Sequence, residues 1–336
     1  MANNPEFVKS RPPLCVIRTG NREVCFSQNG LVRVIGPIEV LFRADDVHER
    51  IIRLVDKGFD TVIFDLESTL DWVEAFEYWG WKLGIQAQLQ DLTNKAMGGE
   101  VPFDEAIKTR LSLVRPNKNM VEEVDLEYTR DSNITPGALE LIELLQNLGI
   151  NVVVISGGYK EATESLGKKL GVHIFANHLI HDTHGEYVGY AHQEILAQDG
   201  GKDVLLEKLR QEGVIRGRTL MVGDGASDMN IKNADLYANF AGWVLRENKV
   251  KEPIAQLADV VFSDLSVLAP IAVGRERWDQ VRYGHDERLV GLFESGIEQI
   301  KNGRNIYIRN VLFRNELDEK VDVYTDQMRD PDVVSV

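Results

Sequence analysis

Asp65 and Glu67 set two carboxylates one residue apart, directly after the apolar run Thr61–Phe64. In extended chain, side chains two positions apart point the same way. One such carboxylate can attack phosphorus while its neighbour protonates the leaving oxygen, and the pair can help hold a divalent cation. Strand exits are often acidic, so the five residues Asp65–Thr69 taken alone also fit a solvated loop. Ser156-Gly157-Gly158 follows a second apolar run and is read as opening a helix. A small hydroxyl and glycines there let backbone N–H groups and a helix N-terminus approach a phosphate, though a plain βα turn has the same text. Lys202, after two glycines and before the helical pattern DVLLEKLRQEG, can neutralise phosphate oxygens or be a solvated surface group. Asp224 and Asp228 sit in GDGASD after the apolar run Thr219–Val222, where a strand-end aspartate can give hard Mg²⁺ an oxygen ligand.

These groups need a scaffold that delivers all four turns to one edge. The region from about Asp60 to Leu268 alternates short β-branched runs with helical patterns, which predicts an α/β fold built on a parallel sheet. Strands are expected at Thr61–Phe64, Asn151–Ile155, His173–Phe175, Thr219–Val222, Leu236–Phe240 and Val260–Phe262. Pro136 is read as opening a helix at its first turn, with Leu139, Leu141, Ile142 and Leu145 as its buried stripe and Gly149 as its end. About 80 residues separate the first two strands, far more than a crossover needs. Residues 71–131 are helical by pattern and read as a small cap inserted after the first core strand, over the carboxyl ends of the strands, where open α/β sheets bind ligands. The expected division is therefore an N-terminal extension at 1–58 with a small β-module, a core at 59–70 and 132–268, the cap at 71–131 and a C-terminal extension at 269–336. The last contains an amphipathic helix from about His285 to Lys301 and the apolar run IYIRNVLF.

The 336 residues carry a net charge of −15, which disfavours nucleic acid and anionic membrane and makes each well-placed cation more informative. With 43% apolar and 27% charged residues, no run of 18 apolar residues and no leader pattern, the expectation is a cytoplasmic globular protein. Cys15 and Cys25 lie far from the motifs and are read as reduced and structural. His178, His181 and His184, with His192 nearby, have a short spacing that invites zinc, but a period of three fits neither face of a strand, so no metal is assigned to them.

The order DLEST, SGG, GGK, GDGASD resembles the haloacid dehalogenase superfamily. The stretches AMGGEVPFDEAIKTRLSLV, NITPGALELI, FANHLI and GEYVGY resemble its phosphoserine phosphatase family over about residues 60–268. The resemblance implies a Rossmann-like core and an Mg²⁺-dependent phosphomonoesterase of serine biosynthesis that hydrolyses O-phosphoserine. Asp65 would become an aspartyl phosphate and Glu67 would be general acid and base. The Asp65 carboxylate, the Glu67 carbonyl and Asp224 would hold Mg²⁺, with Asp228 in support, while Ser156, the Gly157 amide and Lys202 would grip the phosphate. Glu74 and Arg110 match the positions that receive the substrate ammonium and carboxylate, and Met97 and Phe103 match apolar cap positions that exclude water. Glu67 departs from the family's usual Asp and resembles an enzyme group that passes phosphate from phosphoserine to homoserine, so transfer to an alcohol is the alternative to hydrolysis. A non-catalytic sensor or binding protein on the same fold is a further alternative. The expected partner is a small phosphomonoester, with homodimerisation through the terminal extensions.

Overall fold

The computed structural model describes residues 15–19, 22–26, 31–35, 40–97, 101–229, 231, 234–242, 257–284 and 286–329. Its centre is a seven-stranded sheet. In chain order the strands are β5 (Thr61–Phe64), β6 (Asn151–Tyr159), β7 (Ile174–Asn177), β10 (Thr219–Gly223), β11 (Leu236–Phe240), β12 (Val260–Phe262) and β13 (Ile306–Ile308). They lie side by side as β13-β12-β11-β10-β5-β6-β7, all pairs parallel except β12 with β13. β5 and β10 are buried along their whole length, as expected for central strands covered on both faces. Alternation along β5 sends Val62 and Phe64 into one apolar layer and Ile63 into the other. Asp65 and Asp224 follow at the carboxyl ends of these two neighbours, and Val222 of β10 accepts the Asp65 N–H at 2.9 Å.

Several expected boundaries move, among them the strand expected at His173–Phe175, which spans Ile174–Asn177. The helix after Pro136 begins at Ala138, with Gly137 at φ 83° before it, and ends at Asn147 ahead of Gly149 at φ 71°. Its Leu141, Ile142, Leu144 and Leu145 are buried, whereas Leu139 is only half-buried. Strand β6 runs on through Ser156-Gly157-Gly158 to Tyr159, with a register irregularity against β7. A short 3₁₀ turn and the helix Glu164–Leu170 come only afterwards. Ser156 therefore does not open a helix. The glycines let the strand bulge, and the backbone there stays extended.

Between β5 and the helix Ala138–Asn147 lie four helices, Ala75–Leu83, Gln86–Met97, Phe103–Val114 and Lys118–Tyr128. Trp79, Leu89, Ile107, Leu111, Val121 and Val124 are buried among them, and Trp79 Nε1 donates to the Met120 carbonyl at 3.0 Å. The two chain segments that lead in and out are stitched together. Thr135 N–H donates to the Leu70 carbonyl at 3.0 Å, Trp72 N–H to the Asn133 carbonyl at 2.8 Å and Thr135 Oγ1 to the Thr69 carbonyl at 2.8 Å. On the core side, Tyr159 meets Phe76 and Trp79 at ring centroid distances of 6.0 and 6.1 Å.

The N-terminal runs form a four-stranded antiparallel meander, β1 (Cys15–Thr19), β2 (Arg22–Phe26), β3 (Leu31–Ile35) and β4 (Val40–Arg43), which leads into the helix Ala44–Lys57. A hairpin, β8 (Leu179–His181) with β9 (Tyr187–Tyr190), follows β7. The C-terminal segment is built into the main sheet. β13, part of the run IYIRNVLF, closes one edge of it, and the helices Glu287–Lys301 and Val311–Arg329 pack beside it through a Trp278, Phe293 and Tyr324 cluster. No described helix is long and apolar enough to cross a membrane.

Candidate active site

The carboxylates of Asp65, Asp224 and Asp228 are all buried, and an oxygen of each lies within 4.8 Å of the other two. Lys202, second residue of the helix Gly201–Gln211, donates to Asp65 Oδ1 at 2.5 Å and to Asp228 Oδ1 at 2.7 Å. The other oxygen of Asp228 accepts from Gly225 N–H at 3.1 Å. Two close backbone approaches make this possible. A Cβ on Gly223 would sit 2.4 Å from the Asp228 carboxyl carbon, and one on Gly201 would sit 2.0 Å from the Ile195 carbonyl oxygen. Burial pushes the Asp65 carboxyl well above its usual range, against the pull of Lys202, and Asp228 and Asp224 push it further. Burial works against the Lys202 ammonium, yet Asp228 and Asp65 outweigh it and hold it above its usual range. Three clustered carboxylates against one ammonium leave surplus negative charge on hard oxygens, a donor set that fits Mg²⁺.

Beside this cluster, Ser156 is fully buried on β6, and its Oγ accepts the Gly158 N–H at 2.9 Å. Gly157 is exposed toward the cavity, and Asn177 Nδ2 donates to its carbonyl at 3.0 Å. The expected phosphate cradle is thus a bulged strand facing a lysine, with no helix dipole behind Ser156.

Glu67 does not join the aspartate cluster with its side chain. Its Oε1 accepts from Ala75 N–H at 3.0 Å and from the Tyr128 hydroxyl at 2.5 Å. Burial, then the neighbouring Glu74, raise the Glu67 carboxyl above the ordinary glutamate range. Burial and the Glu67 carboxylate raise the Tyr128 phenol well above its usual range, so it stays a donor. Glu74 precedes the first cap helix and accepts from Ser68 Oγ at 2.7 Å. Ser68 holds φ 58°, an uncommon conformation for a residue with a side chain, in the turn between strand and cap. Arg110 lies over the Phe76 ring, 4.6 Å from its centroid. Its hydrogen bonds are long, 3.4 Å to both the Ala106 carbonyl and Thr93 Oγ1. Burial lowers its pKa, opposed by Tyr159, Glu67 and Glu74.

Asp65, Glu67, Glu74, Arg110, Gly157, Lys202 and Asp224 share the wall of one cavity of about 340 Å³. Asp228 and Ser156 stand directly behind it. A more open groove of about 590 Å³ beside Trp72, Tyr78 and Trp81 shares Glu74 but none of the aspartate cluster. The side chains of Met97 and Phe103 lie outside the described residues. Among the described residues the metal-competent group is the aspartate cluster, with no histidine in it. His178 Nδ1 instead faces Glu161 Oε1 at 2.9 Å, and His181 Nε2–H donates to the Pro116 carbonyl at 2.8 Å. Tyr128, Ser68 and Tyr159 were not singled out by the sequence. Tyr128 is 61 residues from the carboxylate it meets, and no spacing rule reaches that far.

A parallel sheet whose carboxyl edge carries a buried aspartate cluster and a lysine, under a cap inserted after its first core strand, is the plan of an α/β phosphohydrolase. Residues 59–230 match the family described as haloacid dehalogenase-like hydrolase. The phosphoserine phosphatase of Mus musculus is 33% identical over 192 residues, 56% of this chain and 84% of that one. The chloroplastic phosphoserine phosphatase of Arabidopsis thaliana is 34% identical over 197 residues, 57% of this chain and 66% of that one. Among solved structures, a substrate-bound phosphoserine phosphatase complex aligns with TM-score 0.53 at 30% identity, covering 62% of this chain and 96% of that chain. A phospho-aspartyl intermediate analogue of phosphoserine phosphatase aligns with TM-score 0.52, also at 30% identity and covering the same shares. The chain belongs to the haloacid dehalogenase-like hydrolases, in their phosphoserine phosphatase branch. It is a phosphatase by class, in a family that typically uses Mg²⁺.

Proposed function

We propose that this phosphatase hydrolyses O-phosphoserine through an aspartyl phosphate on Asp65. The observation that carries the reading is the cavity that has Asp65, Lys202 and Asp224 in its wall together with the opposite charges of Glu74 and Arg110. Asp65 attacks phosphorus as the bond to the serine oxygen breaks, and Glu67 gives that oxygen its proton. In the second half, the Glu67 carboxylate takes a proton from water as the water oxygen attacks the phosphorus of the aspartyl phosphate, releasing phosphate and Asp65. Lys202, Ser156 Oγ and the Gly157 amide hold the transferred group. Asp65, the Glu67 carbonyl and Asp224, supported by Asp228, would hold Mg²⁺, which neutralises charge on the phosphoryl oxygens when bound. Glu74 receives the substrate ammonium, and Arg110 receives its carboxylate in a planar fork.

The names of the relatives and the substrate in the aligned complex support this choice of substrate. Glu67 in place of a shorter acid favours a second reading, transfer of the phosphoryl group to an alcohol such as homoserine. The test is phosphate release with Mg²⁺ from phosphoserine, phosphothreonine, sugar phosphates and nucleotides, repeated with homoserine present. Preferred release from phosphoserine, unchanged by homoserine, is expected; phosphohomoserine formed at the expense of phosphate would overturn hydrolysis. Asp65→Asn should fold and show no turnover, and residual hydrolysis above background would rule out covalent catalysis by Asp65.

A further inference from the structure

Two donors meet at one oxygen of Glu67 and, among the described residues, none meets the other. Ala75 N–H can only donate, and it does so to Oε1 at 3.0 Å. The Tyr128 hydroxyl lies 2.5 Å from the same oxygen and has no other acceptor among the described residues, so it donates there too. An oxygen that accepts two hydrogen bonds is a poor place for a proton, so in the protonated acid the proton belongs on Oε2. Tyr128 is well fixed for this task. It ends the helix Lys118–Tyr128, is 1% exposed, and shares a buried face with Val121 and Val124. That helix is moored to the core, because Asp125 accepts from Ser165 N–H at 2.9 Å and from Ser165 Oγ at 2.5 Å. A glutamate is one methylene longer than an aspartate and has one more rotatable bond. A fixed donor acting on one of its oxygens removes much of that freedom.

We propose that Tyr128 is a positioning residue for the phosphatase reaction: with the Ala75 amide it commits Glu67 Oε1, so that the proton passed to the leaving oxygen sits on Oε2. The inference rests on the assignment of Glu67 as general acid. In the first half-reaction the Asp65–phosphorus bond forms, the bond from phosphorus to the ester oxygen breaks, and the Oε2 proton moves to that oxygen. Tyr128 keeps its own proton throughout.

The experiment uses leaving groups of different need. An alkyl ester such as phosphoserine must have its leaving oxygen protonated, whereas p-nitrophenolate leaves unaided. The readout is the ratio of kcat/KM for phosphoserine to kcat/KM for p-nitrophenyl phosphate, since kcat/KM stops at formation of the phosphoenzyme. In Tyr128→Phe that ratio should fall about tenfold, because a misplaced acid loses part of its effect. In a Glu67→Gln background the same substitution should leave the ratio unchanged. An unchanged ratio in Tyr128→Phe, or an equal drop with and without Glu67, would overturn the proposal. The ratio is independent of the fraction folded, so a less stable variant remains readable. If wild type ignores phosphoserine, the substrate assignment fails by itself, and any alkyl phosphate it does turn over serves for the Tyr128 ratio.

Discussion

Arg110→Ala separates recognition of the amino acid from recognition of phosphate. In the structure the guanidinium spends little on the described part of the protein: both hydrogen bonds are 3.4 Å long, and it lies over the Phe76 ring. It is partly buried and has no carboxylate within ion-pair distance among the described residues, so a substrate carboxylate would meet a donor fork that is nearly uncommitted. Two charge-assisted hydrogen bonds at about 1.5 kcal/mol each amount to about 3 kcal/mol, and partial solvent access reduces this toward about 2 kcal/mol. At about 1.4 kcal/mol per factor of ten, kcat/KM for phosphoserine should fall about 30- to 150-fold. Phosphoethanolamine keeps the ammonium but has no carboxylate, and its kcat/KM should change by less than about threefold. Arg110→Lys should fall between, since a point charge replaces a planar fork. The loss of the ring contact costs about 1 kcal/mol of stability, so the variant should remain folded. Equal losses on phosphoserine and phosphoethanolamine would refute the assignment of Arg110 to the carboxylate.

Three further outcomes follow from the same geometry. Mg²⁺ at about a hundred times its dissociation constant should raise Tm by about 5 °C over a chelated sample, and Asp224→Asn should remove most of that rise; an unaltered rise would place the ion elsewhere. Glu67 has a raised carboxyl pKa, from burial and then Glu74, so the fold binds its proton more tightly than the unfolded chain does. Its contribution to stability is greatest below the usual glutamate range and is lost as pH rises through the raised value. In chelator, the Tm of Glu67→Gln relative to wild type should therefore climb between acid and neutral pH, and a flat difference would contradict the shift. The Tyr159 hydroxyl is buried with no hydrogen-bond partner among the described residues. Tyr159→Phe removes that penalty and should hold or raise Tm by up to about 3 °C; a loss of several degrees would mean that the hydroxyl is paired.

The motifs were legible because a parallel sheet turns short local texts into a shared edge. An apolar run followed by Asp65, another by Ser156 and a third by Asp224 each specify a strand end locally, and the right-handed crossovers bring those ends together. The cap was legible from sheer length between β5 and β6. What stayed hidden depends on contacts between distant segments. The Ser156 turn reads as a helix start from its own text, and only its pairing with β7 shows that the strand runs on. IYIRNVLF is apolar enough to be a strand, but nothing in it says that it closes the β12 edge antiparallel. Tyr128 and Ser68 become informative only when the cap helices fix where Glu67 and Glu74 point.

The charge of the cavity ties these pieces into one requirement. Asp65, Glu67, Glu74, Asp199, Asp203 and Asp224 line it with Asp228 behind, against Lys202 and Arg110, in a chain whose net charge is already −15. A phosphate monoester brings more negative charge, and at these separations repulsion in a partly desolvated site is worth several kcal/mol. Much of that charge must therefore be answered. On the proposed assignment a divalent cation would answer Asp65 and Asp224, while Lys202 bridges Asp65 to Asp228 and the raised pKa of Glu67 keeps that acid neutral over a wider range of pH. Glu74 is held by Ser68 rather than by a cation, so the proposed reading leaves it for the substrate to neutralise. A phosphorylated ligand that carries its own ammonium satisfies this last condition, and a phosphorylated sugar does not. On the proposed reading, the same surplus of acid that calls for a metal would favour an amino-acid ester over a sugar phosphate.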